Sequence, residues 1–92
     1  MSEARTTIDH EIIRKWAEER GGVPTSVSGT GANGDPGILR LDFAPKDASL
    51  DKIDWDDFFG KFEQKKLAFL YQDRTEDGSI SRFHKFIDRN SG

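Results

Sequence analysis

Rings make up a large share of the bulky apolar residues of this sequence, and that limits the folds it can adopt. Five Leu, seven Ile and two Val stand beside seven Phe and two Trp. Leu, Ile, Val and Phe fill 21 of 92 positions, just above the roughly 20% share below which disorder is expected. A domain of this size buries only about 60–65% of the surface its unfolded chain exposes. The core is therefore thin, and Trp16, Trp55, Phe58, Phe59, Phe62, Phe69, Phe83 and Phe86 must fill it. Rings committed to packing leave few residues for a catalytic pocket, which argues against an enzyme.

The same arithmetic removes whole classes. A TIM barrel needs about 200 residues or more. No apolar run approaches the roughly 18 residues of a membrane span, and no basic-then-apolar start suggests a secretory signal. Cysteine is absent, which excludes a disulfide framework, a zinc–thiolate site and a thiol nucleophile. Fourteen Lys and Arg against seventeen Asp and Glu give a net charge of −3. That balance disfavours nucleic acid, whose binders carry a strongly basic domain or face. A cytoplasmic protein is the simplest expectation.

Along the chain, residues 1–6 are polar and expected to be disordered. Ile8, Ile12, Ile13, Trp16 and Ala17 share one face at 3.6 residues per turn and predict a helix from Ile8 to Arg20. Thr7 is the expected N-cap, Gly21 fits the left-handed position beyond the C-terminus, and Pro24 forbids continuation. Val23–Ser28 reads as a short strand and Ile38–Phe43 as a clearer one, with Leu39, Leu41 and Phe43 on one face. The two form a hairpin across a turn-rich loop, Gly29–Gly37, with Pro24 expected at an edge. Ala44–Asp51 reads as an irregular connector.

The next helix, Trp55–Lys65, carries a full N-terminal signature. Asp54 is the N-cap, Asp57 the third helical residue, and Ile53 with Phe58 a hydrophobic staple. Leu67–Gln72 is nearly all apolar, as in a central strand. The final segment fits two patterns. As a helix capped by Ser79 or Ser81, it places Ile80, Phe83 and Ile87 on one face; as a strand, it sets Phe83 and Ile87 opposite Phe86. The helix is preferred. The expected architecture is one α+β domain over residues 7–89, with residues 90–92 frayed. A small, mostly antiparallel sheet of about three strands carries helices mainly on one face, in the order α-β-β-α-β-α.

Gly29-Thr30-Gly31-Ala32-Asn33-Gly34 spells G-x-G-x-x-G. In a dinucleotide fold such glycines let backbone N–H groups approach a pyrophosphate at a helix N-terminus. A strand follows here instead, and Asp35 would repel phosphate, so the segment reads as a hairpin loop. Gly29, Gly31 and Gly34 remain a candidate ligand loop. Arg82, Lys85 and Arg89 fall at i, i+3 and i+7 of a helix, a basic stripe and the candidate nucleic-acid contact. Asp51, Asp54, Asp56 and Asp57 lack an EF-hand pattern, and capping accounts for them. His10 and His84 have no catalytic neighbour in sequence. No catalytic, cofactor-binding or metal-ligating residue is assigned, and no cofactor or membrane association is expected.

Five runs carry a resemblance: Trp16-Ala17-Glu18-Glu19-Arg20-Gly21-Gly22-Val23-Pro24, Gly37-Ile38-Leu39-Arg40-Leu41-Asp42-Phe43, Trp55-Asp56-Asp57-Phe58-Phe59, Leu67-Ala68-Phe69-Leu70-Tyr71-Gln72 and Ser81-Arg82-Phe83. The chain resembles, over nearly its full length, a family of small uncharacterised bacterial proteins sometimes labelled 1,4-α-glucan branching enzyme. A branching enzyme works with a (β/α)₈ barrel far larger than this chain and with paired carboxylates flanking a sugar. The resemblance thus implies a bacterial origin and no catalytic residue. The expected function is a non-enzymatic binding or protein-interaction module of the bacterial cytoplasm. The alternatives are a nucleic-acid-binding accessory protein using the C-terminal basic stripe, and a small enzyme or ligand binder using the glycine loop.

Overall fold

Alternating core residues of the two central strands, Thr25 in one and Phe69 in the other, are almost completely buried, and each strand organises its own sheet. The computed structural model describes residues 3–32 and 35–89. The elements run β1 (Arg5–Thr7), α1 (His10–Glu19), β2 (Val23–Val27), β3 (Leu39–Asp42), β4 (Leu50–Lys52), α2 (Trp55–Gln64), β5 (Leu67–Tyr71) and β6 (His84–Asp88). They form a mixed α+β structure with two three-stranded antiparallel sheets, ordered β1-β5-β6 and β3-β2-β4. The expected single sheet and the order α-β-β-α-β-α are corrected on this point.

Helix α1 starts later than its hydrophobic pattern suggests. Asp9, not Thr7, is the N-cap, and its carboxylate accepts the N–H groups of Glu11 and Ile12. Thr7 belongs to β1, pairs with Phe69 and offers its hydroxyl oxygen to the Asp9 N–H. Ile8 and Ile12 face outward, 49% and 44% exposed, and the buried face is Ile13, Trp16 and Ala17. Arg5 and Thr6, expected outside the domain, pair with Tyr71 and Leu70. Helix α1 ends as expected, with Gly21 at a φ of +72°.

Strand β2 lies at the centre of its sheet, so Pro24 is not at an edge. The Ile53 N–H donates to Pro24 O at 3.1 Å, one residue beyond the last registered rung, Thr25↔Lys52. A proline can accept on that rung but cannot donate, and the β2–β4 ladder stops there. Strand β4 overlaps the end of the stretch expected to be an irregular connector, Ala44–Asp51. The Ala44–Pro45 peptide bond is cis.

Helix α2 follows its signature. Asp54 caps it, and the Asp57 N–H donates to Asp54 Oδ1 at 2.7 Å. Phe58 and Phe62 are fully buried, and Ile53, Trp55 and Phe59 pack around the same core. That helix touches β5 of one sheet and both β2 and β3 of the other. Trp16 of α1 also bridges the sheets, with its ring edge-on to Phe69 and Tyr71 at 5.3 and 6.2 Å and to Phe43 at 6.3 Å.

The final segment is a strand, not the preferred helix. β6 pairs with β5 from Leu67↔Asp88 to Tyr71↔His84. The alternation sends Phe86 inward against Phe58 and Phe69 and leaves Phe83 44% exposed. A helix would leave one side of β5 without ladder partners, and buried backbone groups must be paired. Ser81, buried ahead of the strand, fixes its entry: its Oγ donates to Gln72 Oε1 and accepts the Phe83 N–H. Residues 90–92 lie outside the described residues.

Candidate functional site

The glycine loop is held by its own hydrogen bonds. The Thr30 hydroxyl donates to Val27 O at 2.6 Å and accepts the Ile38 N–H at 2.9 Å. Ala32 and Asp35 exchange backbone hydrogen bonds, and the Gly37 N–H donates to Asp35 Oδ1. Gly31 lies against the Asp35 and Pro36 backbone, while Gly29 takes a φ of +81° with open space beyond its Cα. Gly34 lies outside the described residues. The N–H groups of Ala32, Asp35 and Gly37 have partners within the loop, that of Thr30 donates to Val27 O of β2, and β3 rather than a helix follows. This is not the geometry that cradles a pyrophosphate.

The basic stripe does not form, because β6 separates its members. The Arg89 guanidinium donates to Leu67 O and to both carboxylate oxygens of Glu63. Arg82 lies 5.4 Å over the Phe43 ring. Lys85 stands exposed on β6 between them. The periodicity that put the three on one face belonged to the helix alternative.

Neither histidine presents a catalytic arrangement. His10 stacks on Phe59 at 4.2 Å, and its Nε2 lies 2.7 Å from Glu63 Oε2. Hydrogen bonds from Arg89 and then His10 hold the Glu63 carboxyl down to about 2. His84 packs among Trp16, Phe69 and Phe86. Burial pushes its pKa below the usual imidazole value, and Nδ1 lies 2.9 Å from Arg82 O. That fits a neutral ring donating from Nδ1. Among the described residues no group of three or more His, Asp or Glu side chains is placed to hold a metal ion.

What the fold does create is a seam between its two sheets. Strands β3 and β6 are both edge strands. At one end they approach closely, with the Phe43 and His84 rings 5.7 Å apart. Elsewhere along β3 and β6 lies a groove of about 380 Å³, walled by Ile38, Leu39, Leu67 and Phe86 and rimmed by Arg40, Lys61 and Lys65. Backbone groups flank it on both sides. The Val27 N–H donates to Ile38 O, so antiparallel alternation turns Ile38 and Arg40 toward β2 and leaves Leu39 and Leu41 pointing away. Likewise the Gln72 N–H donates to Phe83 O and the Arg89 N–H to Lys66 O. His84 and Phe86 therefore direct their backbone away from β5. One outward carbonyl of β3 is covered from within: Arg40 NH1 donates to Leu39 O at 2.9 Å.

The charges of the groove are unequal. Lys61 Nζ is 2.7 Å from both carboxylate oxygens of Asp35. The hydrogen bond from Lys61, then that from the Gly37 N–H, draws the Asp35 carboxyl below its ordinary value. Neither Arg40 nor Lys65 forms an ion pair among the described residues. Three cations thus meet one carboxylate in a chain whose net charge is −3. Arg40 could have been found from sequence, since alternation with Leu39 and Leu41 turns it out of the core. Lys65 reads from sequence as a helix C-terminal cation that adds to the charge of the basic stripe, and Lys61 gives no signal of its own.

No helix among the described residues is long and apolar enough to cross a membrane. No protein-family model, curated protein or solved structure matches this chain.

Proposed function

We propose that this chain is a non-enzymatic protein-interaction module of the bacterial cytoplasm. The observation that carries the reading is the groove between β3 and β6, where apolar walls and the outer edges of two sheets share one opening. An edge strand is a template for another chain, and concave apolar sites with a few polar groups are where partners settle. The strand that follows the glycine loop, where a phosphate site needs a helix N-terminus, and the burial of His84 support binding over chemistry.

The test is photo-crosslinking in the native host. A photoreactive residue replaces Ile38, which is 50% exposed at the groove, and in a second strain Ile80, which is 57% exposed outside it. The reading expects a discrete protein adduct from position 38 that position 80 does not give. Identical patterns from both positions, or none from either, would overturn it.

A further inference from the structure

We infer that the groove takes an acidic peptide in extended form, which adds as a strand to the free edge of β3. This inference rests on the interaction reading and specifies its partner. Two independent features of the groove point to it. The first is backbone chemistry. Leu39 and Leu41 direct their N–H and C=O groups away from β2, to an edge that pairs with no strand among the described residues, and an extended peptide satisfies such a row by main-chain hydrogen bonding.

The second is charge. Arg40 and Lys65 stand at the rim outside any ion pair, while Lys61 already holds Asp35 and Lys65 acts on the same carboxylate only through space. Free cations around an apolar slot select acidic side chains and repel basic ones. Arg40 links the two features. Its guanidinium now covers Leu39 O, which guards the edge against indiscriminate pairing. A peptide carboxylate gives that guanidinium a stronger partner, because charge-assisted pairs to a carboxylate are bidentate and short. As Arg40 turns to the carboxylate, Leu39 O becomes available to the incoming strand.

The expected sequence pattern follows from the pleat. Side chains of an added strand alternate between the two faces, so apolar residues meet the Leu39 and Phe86 wall and acidic residues meet Arg40. The probes are an octapeptide of alternating glutamate and valine and its lysine–valine counterpart, titrated into the isotope-labelled full chain. The glutamate peptide should shift the amides of Ile38 to Leu41 and of Phe86, and slow exchange of the Leu39 and Leu41 amides by about tenfold or more. The lysine peptide should not.

Both side chains at the rim are exposed, so Arg40→Glu with Lys65→Glu should fold normally, as circular dichroism will confirm. That double variant should bind the glutamate peptide about tenfold more weakly or worse and gain affinity for the lysine peptide. Arg40→Gln should give an intermediate loss. Shifts elsewhere, equal binding of both peptides, or self-association that already protects Leu39 and Leu41 would each overturn the inference. If position 38 crosslinks a partner in cells while the glutamate peptide leaves these amides unmoved, the acidic-strand inference falls and the interaction reading survives. If both experiments fail, both fall.

Discussion

The Lys61 ammonium stands 2.7 Å from each carboxylate oxygen of Asp35, and so fastens the glycine-rich loop to α2. The two partners are buried unequally, with the lysine side chain 9% exposed and the aspartate 38%. Removing the more exposed partner strands the less exposed charge, which is the costly direction. Asp35→Ala should therefore lower the urea midpoint more than Lys61→Met, which fills the same space with an apolar chain. Equal midpoints, or the reverse order, would contradict the asymmetry.

Glu63 and His84 give acid sensitivity in two separate windows. Glu63 is held down to about 2 by Arg89 and His10, against an ordinary 4.5. Its contribution is complete above pH 4.5 and is lost as pH falls toward 2. His84 is lowered by burial from an ordinary 6.5. The unfolded chain takes up that proton first, so stability falls as pH drops below 6.5 until the folded form is protonated too. Glu63→Gln should flatten the lower window and leave the upper one. His84→Phe should remove the upper one, as urea titrations across pH will show.

Arg20 should not tolerate lysine. Its guanidinium, 5% exposed, lies 4.2 Å over Trp16 and donates to the carbonyls of Trp16, Asp73 and Ser81. A lysine ammonium, shorter in reach and with its donors radiating from one atom, cannot meet three carbonyls in a planar fan. Arg20→Lys should cost about 2–4 kcal/mol, from unmet buried acceptors and lost stacking. A loss below about 0.5 kcal/mol by chemical denaturation, the range of ordinary surface changes, would show that the fan is dispensable.

Two glycines with left-handed backbones should respond differently to alanine. Gly21, at +72°, has open space where a Cβ would lie, so Gly21→Ala should cost about 1–2 kcal/mol from backbone strain alone. Gly37, at +98°, would put its Cβ 2.3 Å from Thr30 Oγ1 and 2.7 Å from the Gly31 nitrogen. Gly37→Ala should cost clearly more and disturb the Thr30 and Ile38 amides. Comparing the two denaturation midpoints and amide spectra checks both claims.

Local signals were the legible ones. Asp54 capping α2, Gly21 ending α1 and Leu39 alternating with Arg40 all act within a turn or a strand, and each stands where the sequence placed it. The misplaced elements depend on partners far along the chain. Residues from Ser79 to Arg89 satisfy both helical and strand periods, and the open side of β5 decides between them. Leu50–Lys52 has too few apolar residues to read as a strand, and it becomes one because β2 offers Thr25, Ser26 and Val27 as partners. The candidate groove shared that fate. Alternation with Leu39 and Leu41 turns Arg40 outward, but Phe86 joins Leu67 in the wall opposite it only when β6 is a strand.

The sheets also differ in how the chain reaches them. β3-β2-β4 is assembled from the uninterrupted stretch Val23–Lys52, whereas β1-β5-β6 must bring Arg5 alongside Tyr71. A growing polypeptide can close the first sheet before α2 has emerged from the ribosome, while the second waits for β5 to emerge. During that interval β3 already offers its open edge, yet Lys61, Lys65, Leu67 and Phe86 are absent, so the groove and its charge selectivity arrive together and late.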